Sequence, residues 1–354
     1  MEEKIKNRVK QAIQEKVFPG CVVGAVFQNG SRLVFPFGHF TYENNSSQVS
    51  NDTVYDVASV TKMIPTSSLL LSLIDQGKVS LGDKVQDYLS EFGNSPGKES
   101  VLLKHLLTYT LDIDVPSTTS LKNEPAQKII DTMIKAPLKS KPGDKFIYTN
   151  STALITGLVV TRISGLTLDI FADQCFFKPL SMAKTTFHPK FLGKSNVAPT
   201  EIDNWRGRMI QGEVHDEGSY VLQKDGYYLG AAGVFSTAND LLNFMEMLLN
   251  NGVYKGNRYF SENIVREMHT NQLINTQEEV GLGWDLNSKH KMGDLSSNQV
   301  FGHSGFTGSM VICDPILGVS VVILSNRTFP KRPVTGDAIN SFRHDIADIV
   351  FGSL

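Results

Sequence analysis

Strand-like segments lie at both ends of this 354-residue chain, and helical segments fill its middle. That distribution constrains the fold more than any single motif. An isolated hairpin is marginal in water, so strands at the two ends are most simply joined in one sheet. At the N-terminal end, Ile5, Val9, Ile13 and Val17 recur at a spacing of four, which predicts a helix over residues 3–17. Pro19-Gly20 breaks it. Residues 21–27 read as a buried strand, Asn29-Gly30 as a hairpin turn and Arg32 to Phe37 as the returning strand. Near the other end, Gly281 to Leu286, Gln299 to His303, Gly308 to Cys313 and Val319 to Leu324 read as short strands. A final helix is expected from Ala338 to Phe351. The expected fold class is α+β: an antiparallel sheet formed from both chain ends and flanked by helices, with a mostly helical second lobe. Residues 1–58 together with about 230–354 would form the sheet lobe, and about 59–229 the helical lobe.

In the middle, the pattern predicts a helix from Thr61 to Asp75, ended by Gly77. Amphipathic stretches follow at 81–89, 102–107 and 126–134. Pro142-Gly143-Asp144 is a turn, and residues 151–164 form another apolar helix. Residues 189–230 show weak periodicity and are expected to be a long loop region of the kind that shapes a binding site. Thr237 followed three residues later by Asp240 is a capping-box-like start for a helix running to Leu249.

Bulk properties exclude several classes. The formal net charge is -2, so no nucleic-acid or membrane-surface partner is indicated. The longest aliphatic run, Leu69 to Ile74, is far shorter than the ~20 residues of a membrane span. The first residues lack an apolar signal-peptide core, so the expected location is cytoplasmic. Cys21, Cys175 and Cys313 are far apart and read as buried thiols.

Three short segments carry the chemistry. Ser59-Val60-Thr61-Lys62 places an amine three residues from a hydroxyl, within reach on one helical face. Serine needs a base to become a nucleophile, and a desolvated lysine is one. A serine at a helix N-terminus also gains from the dipole once an oxyanion forms. Tyr148-Thr149-Asn150 follows a turn, so both outer side chains can face one cleft, the phenol moving a proton and the amide holding a carbonyl. His303-Ser304-Gly305 ends a strand. Gly305 allows close approach, and the next amide, of Phe306, is placed to pair with that of Ser59 around an oxyanion. Taken singly, each has a plain structural alternative: a surface Ser and Lys, a core Tyr beside an N-capping Asn, and a turn between strands.

In this order and context the three motifs resemble the active site of serine β-lactamases and penicillin-binding proteins, in the class C-like branch. Phe18-Pro19-Gly20, Gly233-Val234-Phe235-Ser236-Thr237, Gly281-Leu282-Gly283-Trp284 and Gly302 to Gly308 extend the resemblance from about residue 15 to 327. It implies a β-lactamase-like fold with the site between lobes. Ser59 matches the acylated nucleophile, Lys62 its partner base and Tyr148 the general base and acid. Asn150 matches the substrate-orienting amide, and His303, Ser304, Gly305 and Phe306 line the substrate. His303 stands where β-lactamases carry the lysine of Lys-Thr-Gly, and imidazole is a weaker, pH-dependent anion anchor. Tyr109 replaces a histidine usual in Leu-Leu-Thr-His-Thr-Ser-Gly. His215-Asp216-Glu217 invites a metal reading, but consecutive residues rarely share one ion, and a loop bordering the pocket fits better.

The expected function is a serine hydrolase acting through an acyl-enzyme on an ester or amide: an esterase, or a D-amino-acid amidase or peptidase. A β-lactamase or DD-peptidase-like penicillin-binding protein is the alternative. A catalytically inactive binding protein on the same scaffold is the alternative of another class. No metal or cofactor is implied, and oligomeric state is not set by the sequence.

Overall fold

A computed structural model describes residues 1–273 and 278–354. Its centre is a six-stranded antiparallel sheet. The strands are β1 (Gly20–Phe27), β2 (Arg32–Gly38), β3 (Asp285–Leu286), β4 (Phe301–Ser304), β5 (Met310–Asp314) and β6 (Val319–Ser325), in spatial order β2-β1-β6-β5-β4-β3. The two chain ends meet at the β1–β6 pairing, where Cys21 faces Ser325 and Phe27 faces Val319. The α+β class and the joining of both ends thus hold.

Side chains alternate across this sheet, as the pleat requires. Val23 and Ala25 of β1, Met310 and Ile312 of β5, and Val321 and Ile323 of β6 face outward. There they pack on Ile5 and Val9 of α1 (Glu2–Gln14) and on Phe342, Ile346 and Val350 of the C-terminal helix Asp337–Phe351. Val22, Val26, Val311, Val322 and Leu324 face inward and join the core of the helical region. One hydrophobic cluster therefore runs from the inner sheet face into the helices. Cys21 and Cys313 are buried free thiols, and Cys175 is partly exposed. Among the described residues no single helix is long and apolar enough to cross a membrane.

Two expectations need correction. The helix predicted from Thr61 to Asp75 is interrupted. A 3₁₀ turn covers Ala58–Lys62, Ile64 leaves helical geometry (φ -115°, ψ 97°), and the regular helix α2 begins only at Ser68 and runs to Asp75. The cause is Pro65, whose ring disfavours helical geometry in the preceding residue. The 189–230 region is also more ordered than its weak periodicity suggests. It holds a small ladder, Glu201–Asp203 with Arg208–Ile210, and a helix, Glu217–Lys224, capped by Asp216 Oδ1 on Ser219 N at 2.8 Å.

Candidate active site

Ser59 sits in the single 3₁₀ turn between the sheet and α2. In a 3₁₀ turn residues i and i+3 eclipse, so Lys62 lies directly under Ser59. Lys62 Nζ donates to Ser59 Oγ at 2.9 Å and to the Ala231 carbonyl at 2.8 Å. Lys62 is fully buried, and that desolvation lowers its pKa from 10.5 to about 8. The long-helix dipole expected behind Ser59 is absent, because α2 starts nine residues later. What remains is the set of N–H groups that any first helical turn leaves without a partner.

The approach to this turn is strained. Ala58 has φ 47°, the left-handed region that costs an L-residue roughly 1–2 kcal/mol. Its amide is held by Asp56 Oδ1 at 2.8 Å, while Asp56 Oδ2 accepts the His215 amide at 2.7 Å. Asp56 is buried, and burial raises its pKa, the two amide bonds opposing the rise.

The turn after β4 is stitched to the same segment. Thr307 Oγ1 donates to the Asp56 carbonyl and Ser309 Oγ to the Val57 carbonyl, both at 2.7 Å. From the far side, the buried Arg343 guanidinium donates to the carbonyls of Gly305 (2.7 Å) and Ser309 (2.9 Å). Gly305 is required by space. A Cβ there would lie 2.1 Å from Ser309 Oγ and 2.3 Å from the Val57 carbonyl oxygen. The Phe306 amide has no acceptor among the described residues.

Tyr148 reaches into the cleft from the segment before the helix Asn150–Ser164. Its ring lies over Lys62 Nζ (5.2 Å) and against Tyr109 (5.2 Å). Tyr109, the residue standing in place of the usual histidine, is buried and supports Tyr148 from behind. The Tyr148 hydroxyl is 3.1 Å from His303 Nε2. Desolvation pushes its pKa up, with Ser59 drawing it down, and because the residue is 42% exposed, solvent screening offsets part of that rise.

His303 is 3% exposed, and burial lowers its pKa, so it is neutral at pH 7. Its Nδ1 lies 3.2 Å from Asp285 Oδ2, off the line of a straight hydrogen bond. A carboxylate only accepts, so the proton belongs on Nδ1 and Nε2 accepts from the Tyr148 hydroxyl. Lys291 pairs with the same Asp285 oxygen at 2.7 Å. Burial alone would raise the Asp285 carboxyl; His303 and Lys291 outweigh it and hold it well below the usual range. With His303 neutral, Lys291 is the partner that counts. His303 therefore offers no positive charge to an anion.

Asn150 is not the helix N-cap, and its amide nitrogen has protein partners. The helix cap is Thr149, whose hydroxyl accepts the Thr152 amide at 3.2 Å. Asn150 Nδ2 donates to Thr118 Oγ1 and Asp216 Oδ2, both at 3.1 Å. His215-Asp216-Glu217 does border the pocket, and each member has a protein partner. His215 pairs with Glu201 at 2.8 Å, and Glu217 with Arg332 at 2.9 Å.

All eight candidate residues converge. Ser59, Tyr148, His303, Ser304, Gly305 and Phe306 line one cleft of ≈ 630 Å³. Ser59, Phe306 and Asn150 also line a smaller hollow of ≈ 230 Å³, and Lys62 lies beneath. Phe306, 45% exposed and stacked on His215, stands between them. Asp285, Lys291, Asp56 and Arg343 were not found by sequence reasoning. Only Asp285 had a signal, directly after Gly281-Leu282-Gly283-Trp284.

Comparison with known proteins agrees with this geometry. The family model described as "Beta-lactamase" matches residues 5–344. A protein of Salmonella agona (strain SL483), named "Putative D-alanyl-D-alanine carboxypeptidase", is 30% identical over 320 residues, covering 82% of this chain and 73% of its own. The solved structure of EstCE1, described as a hydrolase with promiscuous acyltransferase activity, superposes with a TM-score of 0.79 at 20% identity, covering 99% of this chain and 98% of its own. An octameric penicillin-binding protein homologue from Pyrococcus abyssi gives 0.76 at 19% identity, covering 99% and 77%. This chain belongs to the beta-lactamase family of serine hydrolases.

Proposed function

We propose that Ser59 is the acylated nucleophile of an ester- or amide-cleaving reaction, with Lys62 as its base. The observation that carries this is the fully buried Lys62 amine, 2.9 Å from Ser59 Oγ, with its pKa brought down to about 8. A neutral fraction of that amine takes the Ser59 proton as Oγ attacks the carbonyl carbon. The oxyanion is received by the amides of Ser59 and Phe306. Tyr148 delivers a proton to the leaving oxygen or nitrogen, its hydroxyl oriented by His303. Water then cleaves the acyl-enzyme, and the same groups return the proton.

The substrate is a small ester, or an amide of D-amino-acid type. Phe306 presents an apolar face at the junction of the two pockets, and the neutral His303 removes the charge that would select a carboxylate there. A DD-peptidase or β-lactam substrate is the second reading, favoured by the carboxypeptidase name of the Salmonella relative. An inactive binding protein is disfavoured, since it would have no use for a buried lysine aimed at a serine.

The test is parallel assay of wild type and Ser59→Ala with p-nitrophenyl acetate, a D-alanyl p-nitroanilide and nitrocefin, with intact-mass detection of adducts. Turnover and an acyl adduct in wild type, both lost in the variant, are expected. Residual labelling of Ser59→Ala would remove Ser59 from its role, and which compound turns over decides between the two substrate readings.

A further inference from the structure

A second cavity, of ≈ 410 Å³, lies outside the hydrolytic cleft, between the end of α1 and the start of the C-terminal helix. Its walls include Val17, Phe329 and Ile339, and its rim carries Lys16 and Lys331. Its base is Arg327, which also borders the hydrolytic cleft beside Phe306 and so forms the partition between the two.

Arg327 is unusual among the arginines. It is 8% exposed, and among the described residues none of its guanidinium nitrogens makes a hydrogen bond or an ion pair. The neighbouring Arg343 is buried too and its Nε is likewise unpartnered, yet its two terminal nitrogens reach three oxygens: Asn340 Oδ1 and the carbonyls of Gly305 and Ser309. A buried guanidinium without an acceptor is costly, and a bound anion removes that cost. Its direction is given by Gly336. A Cβ placed there would lie 3.7 Å from Arg327 Nη1. Gly336 is the N-cap of the 15-residue C-terminal helix and supplies no side-chain cap, so the positive end of that helix opens at the same spot. Two acids oppose an anion here, Glu15 on the wall and Asp337 at the first helical position; Lys16 and Lys331 balance them.

We propose that this cavity binds a small carboxylate with an apolar tail, separately from the hydrolytic substrate. The planar guanidinium fork matches a carboxylate. The aliphatic and aromatic walls take the tail. Occupancy bears on catalysis through the partition itself. The Arg327 guanidinium lies 5.1 Å from the Phe306 ring centroid, and its amide donates to the Thr307 carbonyl at 2.9 Å, so it holds the turn that carries the Phe306 amide.

The test is isothermal titration calorimetry on the full chain with hexanoate, the neutral hexanamide and inorganic phosphate. Hexanoate is expected to bind wild type, and to bind roughly 10–100-fold more weakly to Arg327→Gln, the range for a lost charged hydrogen bond. Ala338→Trp, which fills the cavity from an exposed lining position, is expected to weaken it similarly and keeps the test open should Arg327→Gln not fold. Affinity should stay within about twofold after Ser59 is blocked by a fluorophosphonate. Absence of hexanoate binding to wild type would overturn the proposal. So would loss of binding on blocking Ser59, which would place the anion in the hydrolytic cleft. Equal binding of hexanamide would show that charge is not read, and equal binding of phosphate that the tail is not. The titrations of wild type, Arg327→Gln and Ala338→Trp need no turnover and no reactive serine, so those arms are independent of the hydrolytic reading.

Discussion

Replacing Lys62 with methionine is expected to make the protein inactive and, at neutral pH, more stable. The folded-state pKa of Lys62 falls from 10.5 to about 8. Two and a half units correspond to about 3 kcal/mol held against the native state whenever the amine is protonated in both states. The sign follows from proton counting. Between about pH 8 and 10.5 the unfolded chain binds more protons at this site, so wild-type stability rises with pH through that window. Below it the full penalty applies. Methionine carries no such penalty, but it loses the bonds to Ser59 Oγ and the Ala231 carbonyl. Leaving that buried carbonyl unsatisfied costs about 1–2 kcal/mol. Lys62→Met should therefore be more stable by about 1–2 kcal/mol at pH 7 and less stable by a similar amount near pH 10.5. For 354 residues, an unfolding entropy of ~2.1 cal/mol/K per residue makes this a Tm difference of about 2 °C that changes sign. Scanning calorimetry of both proteins from pH 7 to 10 reads it, since the other groups titrate alike in each. The wild-type kcat/KM should climb with pH on a limb near 8, and the variant should lose it by at least ~10³-fold. A Tm difference constant across that pH range would refute the depressed amine, and Lys62 as a neutral base with it.

Three further outcomes are expected. Asp285→Asn lets an amide N–H face His303 Nδ1 and frees the ring to reverse its proton, so kcat should fall about 10–100-fold with KM unchanged and the pH–rate profile displaced; an unaltered profile would mean Asp285 does not set the His303 tautomer. Gly305→Ala forces a methyl against Ser309 Oγ and the Val57 carbonyl, so the unfolding free energy from urea titration should drop by about 1–3 kcal/mol together with activity, and a wild-type value would show that the turn yields easily. Burial alone would raise the Glu201 carboxyl, but His215 and Arg332 outweigh it and hold its pKa down to about 2, so this carboxylate stabilises the fold above about pH 4.5 and loses that contribution as pH falls toward 2. The urea-midpoint gap between wild type and Glu201→Gln should close over that range, and parallel curves would exclude the linkage.

Local chemistry was legible in the chain. The apolar runs at residues 21–27 and 319–324 and the Asn29-Gly30 turn depend on neighbours in sequence, and the strands formed where that pattern stands. Ser59 and Lys62 are three residues apart, so any helical turn brings them together. Interruption of the next helix was also written there, in Pro65, and the apolar periodicity around it hid the signal.

What the sequence by itself determined, then, is the sheet from both ends, the spacing that pairs Ser59 with Lys62, and the order of the three motifs. Tertiary structure alone decided what each polar group faces. His303 is a neutral partner of Tyr148 because Asp285 arrives from the edge strand and the core desolvates the ring. The Asn150 amide nitrogen is engaged because Asp216, 66 residues away, caps another helix beside it. Arg327 and Arg343 are equally cationic in sequence. The terminal nitrogens of Arg343 reach the carbonyls of a turn, and those of Arg327 have no acceptor among the described residues and stand at the wall of a cavity. Charge and hydrogen-bonding capacity are properties of a residue. Desolvation and pairing are properties of what the fold places within about 3 Å of it.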